Sequence, residues 1–140
     1  MNLNLYRDKI KKIFKNEKKF KLIFQDNKLL NKFNFDKVDM SINPGGVTSL
    51  EMIYLKIPQV CLQITANQKN NLKLVKDKNF GITLRFDQNK QKNNFKSTFA
   101  KFNTNYKNYQ KNLNSQKLID GFGAKRLVEC IKREYAKKFK

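Results

Sequence analysis

The chain has 140 residues, enough for one domain with a core of its own and too few for two of ordinary size. Its net charge is +20 with 39% hydrophobic residues, among them 12 Phe, which excludes a disordered or collagen-like chain. Neither a membrane-spanning apolar run nor the apolar core of a signal peptide is visible, so a cytoplasmic location is expected.

A strongly basic balance raises nucleic acid or an anionic membrane surface as partners. Most of the cations are Lys, with Arg only at Arg7, Arg85, Arg126 and Arg133. They are scattered along a chain rich in Asn, Ile and Phe, residues that share AT-rich codons with Lys. A nucleic-acid binder more often gathers Arg and aromatics on one face, so nucleic acid is disfavoured, and the basic-module reading stays as the alternative. Cys61 and Cys130 lie far apart without CxxC spacing and His is absent, which argues against a metal site and for two reduced thiols.

In chain order, Leu5, Tyr6, Ile10, Ile13 and Phe14 recur at helical spacing, with Lys opposite. Phe20 to Phe24 reads as a short strand, followed by a turn at Asp26-Asn27 and a brief helix over residues 28–33. Val38 to Ile42 is a second strand. Val47 to Lys56 is helical, with Val47, Leu50, Ile53 and Tyr54 on one face, and Pro58 ends it. Gln59 to Ile64 makes a third strand. Asn67 caps a helix to about Lys78 with Leu72, Leu74 and Val75 inward, closed by Asn79 and Gly81. Gly81 to Phe86 is a fourth strand.

Residues 87–94 read as a polar loop. A helix follows in which Phe95, Phe99, Phe102 and Tyr106 form a core face rather than a base-stacking platform. Asp120-Gly121-Phe122-Gly123 then opens a helix whose buried stripe is Leu127, Val128, Ile131 and Tyr135. Alternating strands and helices imply βαβ units, hence an α/β, Rossmann-like parallel sheet flanked by helices. A single domain over residues 1–140 is expected, with a helical part at about 95–138.

In such sheets ligands sit beyond the carboxyl ends of the strands, where two polar clusters fall. The first is Asn43-Pro44-Gly45-Gly46-Val47-Thr48-Ser49-Leu50-Glu51, a strand-to-helix junction. Its glycines let backbone approach phosphate, its helix start offers amides, and its carboxylate stands one turn on. The second is Thr65-Ala66-Asn67-Gln68. A plain structural joint also uses Gly with Thr or Ser at a helix start, so the first cluster alone is only moderately specific.

The run Val38 to Glu51, then Ile57-Pro58, Ala66-Asn67-Gln68 and Asp120-Gly121-Phe122-Gly123-Ala124-Lys125-Arg126, resembles the C-terminal domain of the UDP-sugar hydrolase of pseudaminic acid biosynthesis (PseG-like), a relative of GT-B glycosyltransferases. The resemblance spans roughly Phe20 to Ile131. It implies one half of a GT-B-type fold, lacking its first strand, that binds a UDP-sugar of surface-glycan synthesis. It further implies that Gly45, Gly46, Thr48 and Ser49 hold the diphosphate, that Glu51 bonds the ribose hydroxyls, and that Asn67 and Gln68 face the sugar or its phosphate. Pro44 stands where the family has a small residue and Leu50 where it commonly has an aromatic. The hydrolase draws its water-activating His from an N-terminal half, whereas this chain has none. The resemblance therefore implies ligand binding without catalysis by this chain alone, no cofactor and no catalytic residue, with a separate N-terminal-half chain or a homo-oligomer as partner.

Overall fold

The computed structural model describes residue 12, residues 35–85 and residues 91–138, the side chains of 91–94 excepted. The chain divides into two compact units, Met1–Phe35 and Asp36–Lys140, and the described residues fall almost wholly in the second. The helix expected at residues 5–14, the strand at 20–24 and the helix at 28–33 lie outside the described residues.

The second unit is α/β, a three-strand parallel sheet flanked by helices. Strand β1 (Ser41–Asn43) leads to helix α1 (Val47–Tyr54), β2 (Gln59–Gln63), α2 (Lys69–Asp77), β3 (Gly81–Arg85), and the helices α3 (Gln91–Ser115) and α4 (Gly123–Lys138). The strand order is β1-β2-β3, with Ser41 opposite Gln59 and Gln59 opposite Gly81.

Strand alternation sorts the core into two layers. On one face of β2, Cys61 joins Ile53, Leu72, Val75, Phe80 and Leu113. On the other, Val60 packs against Phe102 and Tyr109 of α3, with Met40, Leu62, Ile82 and Tyr106 around them. The Phe102 ring lies 5.4 Å from that of Tyr109 and 5.9 Å from that of Tyr106. Of the aromatics expected on the core face, Phe102 is buried and Tyr106 packs beside it, whereas Phe95 and Phe99 are half-buried and stack on each other, and Tyr109 completes the packed face. Residues 91–94, expected in a loop, instead belong to α3.

Helices α1 and α2 leave by the same turn. Ile57 N–H donates to Met52 O (2.9 Å) and Phe80 N–H to Val75 O (2.9 Å), each across a residue in the left-handed region, Lys56 (φ 60°) and Asn79 (φ 51°). The apolar residue after each turn, Ile57 or Phe80, drops into the core. Gly81 follows directly, and a Cβ there would stand 2.0 Å from Gln59 O, so only glycine lets the two strands approach.

Two expected faces differ. In α1 the inward residues are Ser49, Met52 and Ile53, while Val47 and Tyr54 are exposed. An eight-residue helix has one inward arc, and the i, i+3, i+4 set at 49, 52 and 53 occupies it. In α4 the stripe expected to be buried is exposed: Leu127 61%, Val128 49%, Ile131 58% and Tyr135 64%. The helix start itself is fixed, for Asp120 pairs with Arg126 (2.6 Å) and accepts from Phe122 N–H (3.0 Å). Those bonds hold the Asp120 carboxyl down at about 2.

Two glycines should respond differently to alanine. Gly81→Ala is expected to lower stability by about 3 kcal/mol or more, because backbone must move. Gly46→Ala, where a Cβ meets nothing within 4 Å, should cost no more than about 1 kcal/mol. Urea unfolding followed by circular dichroism measures both.

Candidate functional site

The carboxyl edge of the sheet is organised by a buried pair of amides. Asn43, at the end of β1 and 4% exposed, donates from Nδ2 to Gln59 Oε1 (2.9 Å) and to Ser41 Oγ (3.2 Å). Its Oδ1 accepts from Gly45 N–H (2.9 Å), closing an Asx turn that starts the β1–α1 connection. Gln59, wholly buried in β2, donates from Nε2 to Ser49 O (3.0 Å) in α1. The Cys61 thiol lies 3.2 Å from Gln59 Oε1 and 3.6 Å from Asn43 Oδ1, with one hydrogen to give. Burial pushes that thiol up to about 12, against the pull of its bond to Asn43. Among the described residues no buried side-chain nitrogen or oxygen lacks a hydrogen-bond partner.

Gly45 takes φ +70°, and a Cβ there would lie 2.7 Å from Leu72 Cδ2, so both conformation and space require glycine. The next carbonyl is clamped. Gly46 O accepts from Ser49 N–H (3.1 Å), Ser49 Oγ (2.7 Å) and Asn71 Nδ2 of α2 (3.1 Å). A trans peptide sets its N–H opposite its C=O, so this clamp points the Val47 N–H away from Ser49 and Asn71. Val47 is 70% exposed, and its amide precedes the first intrahelical bond.

The predicted site residues separate into those that shape the turn and those that stand on it. Gly45 and Ser49 are buried, and the Ser49 hydroxyl is spent on Gly46 O, which differs from direct contact with a diphosphate. Gly46 is half-buried, whereas Thr48 and Glu51 are exposed. Residues three and four apart share a helix side, so the Glu51 carboxylate lies on the same side as Thr48 and Val47.

The second cluster follows β2, whose partner register with β1 (Asn43 opposite Cys61) puts it on the same edge. Helix capping here begins at Thr65, ahead of the expected Asn67, through a 3-10 turn over Ala66–Gln68. Gln68 Oε1 accepts from Ile64 N–H (2.9 Å) and Thr65 N–H (3.1 Å), and Thr65 Oγ1 donates to Asn67 Oδ1. The acceptor oxygens of Asn67 and Gln68 are therefore occupied locally. Their amide NH2 groups have no protein acceptor among the described residues and remain as donors. Arg85, exposed at the end of β3 opposite Gln63, adds a cation to this edge.

This edge can present amide donors and one carboxylate to a polar ligand. No group of three His, Cys, Asp or Glu that would hold a metal occurs among the described residues. A shallow depression at the other end of β3, lined in part by Asn79, Phe80, Asn112 and Gln116, contains none of the predicted residues. The amides of Asn112 and Gln116 are committed to the fold, Asn112 Nδ2 donating to Asn79 O (3.2 Å) and Gln116 Nε2 to Ile119 O (3.2 Å).

Reading the sequence for ligand contacts missed Asn43, Gln59 and Asn71 as the residues that set the turn. Two had signals: Asn-Pro-Gly is an Asx-turn pattern, and a glutamine within an interior strand requires a buried partner. Asn71 had none, being one polar residue among many on a surface helix. Protein-family models, curated proteins and solved structures all give no match to this chain.

The network makes two expectations concrete. Asn43→Ala should destabilise by about 1–3 kcal/mol, since Gly45 N–H and the Gln59 amide lose their partner. Of the two thiols, exposed Cys130 should react readily with a thiol reagent at neutral pH and Cys61 only on unfolding. Because folding raises the Cys61 thiol from 9.0 to about 12, its contribution to stability is whole below pH 9 and is lost as pH rises toward 12. Thiol counting with and without urea, and unfolding measured across that pH range, check both.

Proposed function

We propose that this chain is a UDP-sugar-binding domain of a nucleotide-sugar hydrolase or glycosyltransferase-like protein, in line with its resemblance to the UDP-sugar hydrolase of surface-glycan synthesis. The observation that carries the reading is the threefold clamp on Gly46 O, which turns a helix-start amide outward beside a glycine where an added Cβ would meet nothing within 4 Å. Backbone donors at a helix start, next to a glycine that allows close approach, match a diphosphate.

In this reading the Val47 and Thr48 amides take the diphosphate, with the Thr48 hydroxyl beside them. Gly45 and Ser49 act through the shape of the turn. Glu51, one turn on, accepts from the vicinal hydroxyls of ribose. The donor groups of Asn67 and Gln68 on the neighbouring loop face the sugar or its phosphate. In this reading Glu51 stands on the ribose side of the diphosphate, away from the scissile sugar bond, so among the described residues of this edge none is assigned to activating water.

Calorimetric titration with UDP and UDP-N-acetylglucosamine at moderate salt tests it. Saturable binding is expected. Glu51→Ala should weaken it about 10- to 100-fold, the range for a charge-assisted hydrogen bond of about 1.5–3 kcal/mol. Gly46→Ala should weaken it while the chain stays folded, because the added methyl occupies ligand space. Absence of binding by a folded chain, or affinity unchanged in both variants, overturns the proposal.

A further inference from the structure

Helix α4 carries an apolar face that no described residue buries. At 100° per residue, Leu127, Ile131, Ala124 and Val128 fall within a sector of about 100°. Leu127, Val128 and Ile131 are 61%, 49% and 58% exposed, and Phe122, just ahead of the helix, is 61% exposed. The rest of the surface is cationic, with Lys125, Arg126, Lys132, Arg133 and Lys137 against Glu129 and Glu134, and Lys138 closes the helix at the end of the apolar sector. Lys125 and Lys132 border one side of the apolar sector, and Arg126 and Lys137 lie beyond the other. Arg126 is tied to Asp120 and Lys137 to Glu134, so Lys125 and Lys132 are the cations beside the stripe that no ion pair occupies among the described residues.

We infer that the apolar face of α4 docks on an anionic lipid surface, with the helix lying in the plane of the interface. Low net hydrophobicity, strong amphipathy and lysine or arginine on the polar side define an interfacial helix, and α4 has all three. The length agrees, because 16 residues rise only about 24 Å, short of a bilayer, and no helix among the described residues is long and apolar enough to cross one. Lysine stems can lie along the acyl boundary while their ammonium groups reach the headgroups.

Charge complementarity selects this occupant. A second copy would set one cationic helix against another. A nucleic acid would engage the charged side and leave the aliphatic stripe in water. A flat anionic surface meets both faces at once, and it also draws on the lysines spread over a chain of net charge +20, each cation near the surface adding about 1 kcal/mol within a Debye length.

The test is co-sedimentation of the full chain with vesicles of phosphatidylcholine alone and with vesicles containing phosphatidylserine. The variants are Leu127→Gln with Ile131→Gln, and Lys125→Gln with Lys132→Gln. All four positions are exposed, and circular dichroism verifies that the variants fold. Binding to phosphatidylserine vesicles only, falling about tenfold or more in the apolar double variant and weakening in the lysine variant and in high salt, is the expected result. No binding to anionic vesicles overturns the inference. So does binding that the apolar variant leaves unchanged, which would mean charge alone. A concentration-dependent dimer that the same variant abolishes, seen by analytical ultracentrifugation, would assign the face to a second copy instead.

Discussion

The organisation of this molecule depends on two buried amides. Asn43 and Gln59 meet side by side between neighbouring parallel strands, and from that contact bonds run outward to the turn after β1, to the main chain of α1 and to the thiol of β2. Each amide brings two donors and an acceptor into a setting where unmet groups cost about 1–3 kcal/mol apiece. The arrangement is stable only when all members are present together. It is also specific to register, since shifting β1 by one residue against β2 would turn Asn43 toward the layer of Val60 and Phe102, away from Gln59.

That constraint places the two halves of the sheet edge. The turn over Gly45 and Gly46 is shaped by an acceptor on β1 and donors on α1 and α2, so its conformation belongs to the assembled fold rather than to its own residues. The neighbouring turn is built differently, from side chains within four residues of one another. One loop is therefore held by tertiary structure and the other by local bonding, although they stand on the same edge.

Much of the second unit was legible in the chain because its signals are local. Pro58 stops α1, Gly81 opens β3, and the aromatic spacing of α3 names its packed face. Less legible were features that depend on what lies opposite. Val47 and Tyr54 have the right type for a core but fall outside the inward arc of a two-turn helix. The stripe on α4 has the periodicity of a buried face, and periodicity reports amphipathy without saying what covers it. At the candidate site the glycines and the carboxylate announce themselves by pattern. The inward turn of the Ser49 hydroxyl and the reach of Asn71 to Gly46 O are decided by packing between helices, which no short motif encodes.

The paired exits from α1 and α2 divide the molecule by tolerance of change. In each, a left-handed residue, a bond reaching back five positions and a buried Ile57 or Phe80 follow one another, with only Pro58 before β2 and no residue before β3. An insertion there would displace the anchoring side chain and flip the strand behind it, so connection length at the amino edge is fixed by construction. At the carboxyl edge the turn from Thr65 to Asn67 has exposed side chains, and its spacing is set by its own local bonds rather than by a residue anchored in the core. Innovation in this fold is channelled to one rim: length and chemistry can vary there while the opposite rim keeps the strands in step.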